Sequence, residues 1–119
     1  MAHYDLEERT LRFAKEIRKF IKSVKLTTVN ESDCRQLIRS SGSVGVNYIE
    51  ANESFSKKDF LFRAKISRKE VKESRFWLSC LENNIQPDLE PARTELHTEA
   101  TEIMKILGAI IRNSEGGQV

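Results

Sequence analysis

One stretch of the chain places apolar and small residues at alternating spacings of four and three. Its members are Phe60, Ala64, Ser67, Val71, Ser74, Leu78 and Leu81. This spacing puts every member on one side of an α-helix, which can then bury that side against other helices. A strand would instead alternate with a period of two, and no useful length of the sequence does so. The repeat therefore predicts a long amphipathic helix in an all-α protein.

Three further segments have the helical period, so the 119 residues predict four helices in a single domain. The predicted helices span residues 5–25, 32–54, 56–84 and 88–112. Ser32 or Asp33 can cap the second, Ser56 begins a weak capping box at the third, and Asp88 can cap the fourth. Short connections between long helices favour antiparallel neighbours. We expect an up-down-up-down four-helix bundle over residues 1–112 and a flexible tail over residues 113–119.

The middle of the second predicted helix is rich in glycine and serine. Gly42 and Gly45 each cost a helix about 1 kcal/mol relative to alanine. A loop is one interpretation, but the helical period resumes in phase at Tyr48. We therefore expect a continuous helix whose small residues let another helix approach closely.

Several apolar residues fall outside the predicted core positions. They are Leu11 and Ile21 on the first helix and Leu61, Phe62, Ile66, Phe76 and Trp77 on the third. A patch of this kind on a lone monomer would be exposed to water, and large exposed apolar patches mark interaction sites. We expect the chain to form a homo-oligomer.

The sequence lacks the usual signatures of catalysis and metal binding. Cys34 and Cys80 are too few and too far apart for a disulfide framework or a zinc site, and we expect both to be reduced. His97 has no glutamate three residues away, as the metal sites of helix bundles require. With so few histidines, a serine or cysteine nucleophile has no evident base. The chain is thus expected to have no catalytic or metal-binding residues and no cofactor, and not to be an enzyme.

No run of residues is long and apolar enough for a membrane span, and the first residues do not form a secretory signal. We expect a cytoplasmic protein with no membrane partner.

Charge is distributed unevenly along the chain. Residues 9–75 hold 17 lysines and arginines against 8 acidic residues, although the net charge is only +2. Basic residues form rows at helical spacing, namely Arg12, Lys15, Lys19 and Lys22 on the first helix and Lys65, Lys69 and Lys72 on the third. Such rows suit contacts with nucleic-acid phosphates. Alternatively, nearby glutamates such as Glu16, Glu70 and Glu73 neutralise the rows through ordinary helical ion pairs.

A polar row lies beside the core positions of the second helix. Ser43, Asn47 and Glu50 are spaced by four and three residues. They could form a ligand or partner site, but hydrogen bonds between helices or subunits are the favoured interpretation. In an antiparallel pair, Glu50 would lie close to Arg63.

Segments 39–51, 59–60 and 65–78 resemble the 23S rRNA intervening-sequence protein family of bacterial four-helix bundles, which is similar to the accessory variability determinant of diversity-generating retroelements. Ser43, Asn47 and Glu50 occupy the family's motif positions, and Lys69, Glu70 and Trp77 fit its third helix. Many members have glycine after the motif glutamate, where this chain has Ala51, as in another branch. The resemblance implies a homopentamer. For the retroelement relatives it also implies a basic nucleic-acid-binding surface and a reverse-transcriptase partner.

Two functional hypotheses follow. The first is a homo-oligomeric accessory module that binds the backbone of RNA or DNA through the lysine rows. The second is a protein-interaction scaffold without affinity for nucleic acid, whose surplus apolar surface serves assembly alone.

Overall fold

The computed structural model describes residues 3–116, and four long helices account for most of them. We name them α1 (His3–Ser23), α2 (Glu31–Asn52), α3 (Lys57–Cys80) and α4 (Glu90–Gly116); a short 3-10 turn, Pro87–Leu89, precedes α4. No strand occurs in this part of the chain. The prediction of an all-α, four-helix fold is confirmed.

Side-chain contacts between consecutive helices run in opposite directions along each pair. Glu7 contacts Asn52 while Arg18 contacts Ile38; Asn47 contacts Arg63 while Ser40 contacts Ser74; Lys65 contacts Glu115 while Leu78 contacts Arg93. Arg9 of α1 also reaches Glu99 of α4, which closes the circuit of helices. Each consecutive pair is therefore antiparallel, which is compatible with the predicted up-down-up-down order.

The core consists of the residues that the helical period selects. Leu6, Phe13, Ile17, Phe20 and Val24 of α1 are all buried. The third-helix repeat is buried from Ala64 to Leu81, while Phe60 at its start is half-buried against Ala51 and Ala64. On α4 the buried hydrophobic residues are Leu96, Ala100, Ile103, Leu107 and Ile111, so the last two steps both span four residues.

The glycine- and serine-rich segment of α2 is continuous helix, and it lets α1 approach closely. A Cβ atom at Gly45 would lie 3.0 Å from the Oγ1 atom of Thr10, which is itself fully buried. A Cβ atom at Gly42 would lie 3.2 Å from a guanidinium nitrogen of Arg18. The close-approach interpretation is confirmed, and the loop interpretation is wrong.

Helix ends differ from the predicted boundaries for local reasons. α3 stops at Cys80 instead of residue 84, since Asn83 has a left-handed φ of 66° that no α-helix accommodates. α4 continues to Gly116, beyond the expected start of a flexible tail at residue 113. An ion pair between Lys65 and Glu115, 2.9 Å apart, joins this last turn to α3. The remainder of the expected tail lies outside the described residues.

The junction before α2 also differs from prediction. The cap position is Asn30, not Ser32 or Asp33. Its buried side chain forms hydrogen bonds with the connecting loops and does not cap the helix. Nδ2 donates to the carbonyls of Lys25 (3.1 Å) and Asn84 (2.8 Å). Oδ1 accepts from the amide of Thr27 at 2.8 Å. Asn30 thus fastens the α1–α2 connection to the turn after α3. At α3, the predicted cap is confirmed, because Ser56 accepts a hydrogen bond from the Asp59 amide.

Candidate nucleic-acid interface

The predicted basic row on α1 is exposed, but it faces acidic side chains. Arg12, Lys15, Lys19 and Lys22 all lie on the surface. Arg12 and Lys19 line a groove of about 1090 Å³ between α1 and α4. The α4 residues that line the same groove include Glu90, Glu95, Glu99 and Glu102. Because these carboxylates lower the local positive potential, the α1 row is poorly placed to attract phosphates.

Arg9 partly neutralises this acidic wall. Its Nε atom lies 2.7 Å from Glu99 Oε2, and its Nη2 atom lies 2.8 Å from Glu102 Oε1. The hydrogen bond to Glu99 is the main reason that the pKa of Arg9 lies above its ordinary value, against an opposing effect of burial. The guanidinium of Arg9 thus joins α1 to α4 through two ion pairs.

The predicted row on α3 has different surroundings. Lys65, Lys69 and Lys72 are exposed, as expected. Lys65 pairs with Glu115. Lys69 and Lys72 form no ion pair with a carboxylate in residues 3–116. The four cations of the α1 row likewise form no ion pair in this range, so the two rows differ in the glutamates that line the groove beside α1.

Lys72 also belongs to a smaller basic groove between α3 and α4, of about 390 Å³. Seven residues line it, five of them cationic: Arg68, Lys72, Arg75, Met104, Lys105, Gly108 and Arg112. Sequence reasoning found only Lys72. The other cations lie on two helices far apart in the chain, and only the register of α3 against α4 brings them together.

The family motif residues of α2 have mainly structural contacts. Asn47 Nδ2 donates to the carbonyl of Ser43 at 2.9 Å, and Asn47 Oδ1 accepts from Arg63 Nη1 at 3.4 Å. Glu50 is exposed and does not form the expected contact with Arg63 among the described residues, because Arg63 turns to Asn47 one helical turn earlier. Asn47 thus takes part in a hydrogen bond between α2 and α3, which is the kind of contact that the favoured interpretation describes.

Glu70 and Trp77 belong to a polar network between α2 and α3. Arg39 donates to Glu70 at 3.3 Å and also to Glu73, which accepts a further hydrogen bond from Trp77 Nε1 at 3.2 Å. Burial acts to raise the pKa of Glu73, but the hydrogen bonds from Arg39 and Trp77 outweigh it and hold the pKa below its ordinary value. The glutamates thus neutralise Arg39 of α2; neither forms an ion pair with a lysine of the α3 row in residues 3–116.

Arg93 is a buried arginine that the sequence did not single out. Its Nη1 atom donates to the carbonyl of Leu78 at 3.1 Å, and its Nε atom donates to Glu90 Oε1 at 2.8 Å. The carbonyl belongs to the last turn of α3, and it also accepts a hydrogen bond from the amide of Leu81 at 3.3 Å. Arg93 therefore closes the end of α3 and is not available to a ligand.

Some of the surplus apolar residues are exposed. Leu11, Phe62 and Phe76 are 54%, 60% and 59% exposed, whereas Ile21 and Trp77 pack against the core. Leu61 packs beside Ala64, and Ile66 is half-buried. Val46 and Ile49 of α2 are additional exposed apolar residues. The exposed apolar surface is thus smaller on α3 than the sequence indicates, but it extends onto α2.

The two cysteines and the histidine and acidic side chains are the remaining candidates for a disulfide or a metal site. Cys34 is buried, Cys80 is half-buried, and neither forms a disulfide. Burial, with a smaller effect of Asp33, raises the pKa of both thiols. Within residues 3–116, no group of three or more His, Cys, Asp or Glu side chains could hold a metal ion. None of the helices in this range has the length and apolar character needed to cross a membrane.

Comparisons with known proteins agree with the four-helix fold. The chain is 30% identical to a Bacteroides thetaiotaomicron protein of unknown function from the S23 ribosomal protein family, whose crystal structure superposes with a TM-score of 0.78. That match covers 94% of this chain and 99% of the other. No curated protein sequence matches significantly. The sequence profile of the 23S rRNA-intervening sequence proteins matches residues 3–109. The chain belongs to the 23S rRNA-intervening sequence protein family.

Proposed function

We propose that this protein is a non-enzymatic homo-oligomer that binds the backbone of RNA or DNA as an accessory module. The observation that carries the proposal is the segregation of charge on the molecule. Arg68, Lys72 and Arg75 of α3 line the groove between α3 and α4. On the other side of α4, its residues Glu90, Glu95, Glu99 and Glu102 line the groove towards α1. The family name associates its members with 23S rRNA, which favours RNA as the ligand.

Backbone binding has a clear experimental signature. Phosphate contacts release condensed cations, so the logarithm of the binding constant falls linearly with the logarithm of the salt concentration. The slope is about −0.7 per phosphate contacted on a single strand and about −0.9 on B-DNA. Anisotropy titrations of labelled RNA and DNA from about 50 to 200 mM NaCl measure it. We expect tight, salt-sensitive and sequence-independent binding. Undetectable affinity at the lowest salt would reject the proposal.

The apolar surface supports the oligomeric part of the proposal. Phe62 and Phe76 of α3 and Val46 of α2 expose large apolar groups, which association would remove from water. The resemblance to the family implies a pentamer. Multi-angle light scattering at micromolar concentration tests the assembly, and a strictly monomeric species would exclude it.

A protein-interaction scaffold is the alternative, and the same apolar surface favours it. It predicts a stable oligomer with no salt-dependent affinity for nucleic acid, so the titrations above discriminate the two. A reverse transcriptase is a further proposed partner on the resemblance to the retroelement proteins. Co-purification of the two tagged proteins at moderate salt tests that pairing.

A further inference from the structure

The basic groove between α3 and α4 brings together side chains from residues 68–75 and residues 104–112. Arg68, Lys72 and Arg75 are spaced by four and three residues, so they share one side of α3. Lys105 and Arg112 lie on the facing helix. Two contacts join the same helices beside the groove, namely the Lys65–Glu115 ion pair and the contact of Arg75 Nη1 with Met104 Sδ at 3.6 Å. Five cations therefore surround one concave surface.

The positive charge of this groove is not balanced by ion pairs within the described residues. None of its lining residues is an aspartate or glutamate, and none of its five cations forms an ion pair with a carboxylate in residues 3–116. Elsewhere in the molecule, Arg9, Arg39 and Arg93 are all neutralised by glutamates. Gathering five like charges without a counter-charge is unfavourable unless an anion is bound there.

Arg75 of this groove has hydrogen-bond donors that the protein leaves largely unused. Its Nε atom is closed off from solvent and has no acceptor, and it is the one side-chain polar atom of this kind in residues 3–116. Its Nη1 atom contacts only a weak sulfur acceptor. Buried polar groups are nearly always hydrogen-bonded, so the guanidinium of Arg75 keeps donor capacity that no acceptor in the described residues uses.

Gly108 gives Arg112 room beside the groove. A Cβ atom at Gly108 would lie 3.3 Å from Arg112 Nη1, so the guanidinium lies directly over the glycine. Arg68, Arg75 and Arg112 then present three planar forks, a geometry that matches the oxygens of phosphate groups. The span from Arg68 to Arg75 is about 10 Å at 1.5 Å per residue. This length accommodates more than one phosphate.

We infer that the α3–α4 groove is a phosphate site in which Arg68, Lys72, Arg75, Lys105 and Arg112 bind consecutive oxyanions. The inference rests on the proposed function in that the phosphates would belong to a nucleic-acid backbone. Inorganic pyrophosphate offers the same chemistry without the nucleic acid. It therefore probes the groove independently.

The test compares two triple variants that each remove three positive charges. The groove variant is Arg68→Gln/Lys72→Gln/Arg112→Gln, and the matched control is Arg12→Gln/Lys15→Gln/Lys19→Gln on α1. At about 100 mM NaCl, we expect the groove variant to bind labelled single-stranded RNA at least about tenfold more weakly than the parent. Its salt slope should be smaller by about two units, while the control changes little.

Thermal unfolding provides the second readout and checks that the variant folds. Without ligand, the melting temperature of the groove variant should equal or exceed that of the parent, because repulsion is removed. Saturating pyrophosphate, compared with NaCl at equal ionic strength, should raise the melting temperature of the parent and the control by at least about 2 °C. It should leave the groove variant unchanged.

The outcomes separate the two proposals. Equal stabilisation of the groove variant and the parent by pyrophosphate, or no stabilisation of the parent, overturns the groove as a phosphate site even if RNA binds. Stabilisation confined to proteins with an intact groove, together with no RNA affinity in the parent, retains the groove as a site for free phosphate compounds and rejects the proposed function.

Discussion

The hydroxyl oxygens of Ser40 on α2 and Ser74 on α3 lie 2.8 Å apart in a position that solvent does not reach. Ser74 also lies 3.0 Å from the carbonyl of Glu70, to which its hydroxyl donates. Ser40 can then donate to Ser74. Ser67 lies about two turns before Ser74 on α3, and its hydroxyl donates to the carbonyl of Val44 on α2 at 2.7 Å. Small polar residues at core positions of the α3 repeat thus bring the two backbones together and satisfy their own hydrogen bonds.

Replacing Ser74 tests this contact. We expect Ser74→Ala to lower the free energy of unfolding by about 1 kcal/mol, since Ser40 loses its interhelical partner. Ser74→Val should cost about 1–3 kcal/mol, because the added methyl group overfills a closely packed interface. Urea denaturation measures both. Ser79→Ala, at an exposed position of the same helix, is the control. A Ser74→Val variant as stable as the parent would contradict this view of the interface.

The two glycines of α2 should respond in opposite ways to alanine. Gly42→Ala meets only the flexible end of Arg18, so the gain in helix propensity, up to about 1 kcal/mol, should dominate. Gly45→Ala meets the branched and buried Thr10, and we expect a net loss of about 1–3 kcal/mol. Denaturation curves of the two variants under identical conditions decide the question. Equal stabilisation by both substitutions would show that α1 does not approach α2 as closely as described.

His97 should make stability depend on pH. Burial, followed by the positive charges of Arg75 and Arg93, lowers its pKa below the ordinary value of 6.5. The unfolded chain therefore binds a proton at higher pH than the folded chain does. The contribution of neutral His97 is fully present above about pH 6.5 and is lost as the pH falls through the folded-state pKa.

Two variants isolate this effect. His97→Gln should flatten the loss of stability between neutral pH and the folded-state pKa, as urea denaturation at a series of pH values would detect. In NMR titrations, Arg75→Gln should raise the pKa of His97 by removing one of the two charges that oppose protonation, without restoring the ordinary value, because burial remains. An unchanged His97 pKa would show that Arg75 does not influence this site.

The exposed apolar residues of α3 should control assembly. We expect Phe62→Ser/Phe76→Ser to weaken self-association by at least about tenfold, since each ring would otherwise be removed from water at an interface. Concentration-dependent light scattering measures the effect. Leu26→Ser, at an exposed position in the α1–α2 connection, is the matched control. An unchanged oligomer in the double variant would place the interface elsewhere.

Sequence patterns predicted the helices and the core because both depend on local periodicity. A stripe such as Phe13, Ile17 and Phe20 identifies the buried side of α1 whichever helix packs against it. Helix ends were less predictable. The stop at Cys80 depends on the left-handed backbone at Asn83, and the junction at Asn30 depends on a carbonyl 54 residues away. Neither contact leaves a periodic trace in the sequence.

For the basic residues, too, the sequence determined one property and the tertiary structure another. Sequence alone determined that Lys15, Lys19, Lys69 and Lys72 lie on exposed helix faces, since exposure follows from the position of the apolar stripe. Tertiary structure decided what each row faces. Packing of α4 sets carboxylates opposite α1 and sets Lys105 and Arg112 beside Arg68, Lys72 and Arg75. Electrostatic potential at a surface is the sum over charges from every nearby element. Only the register between helices could therefore distinguish a basic row that faces carboxylates from a groove that five cations line.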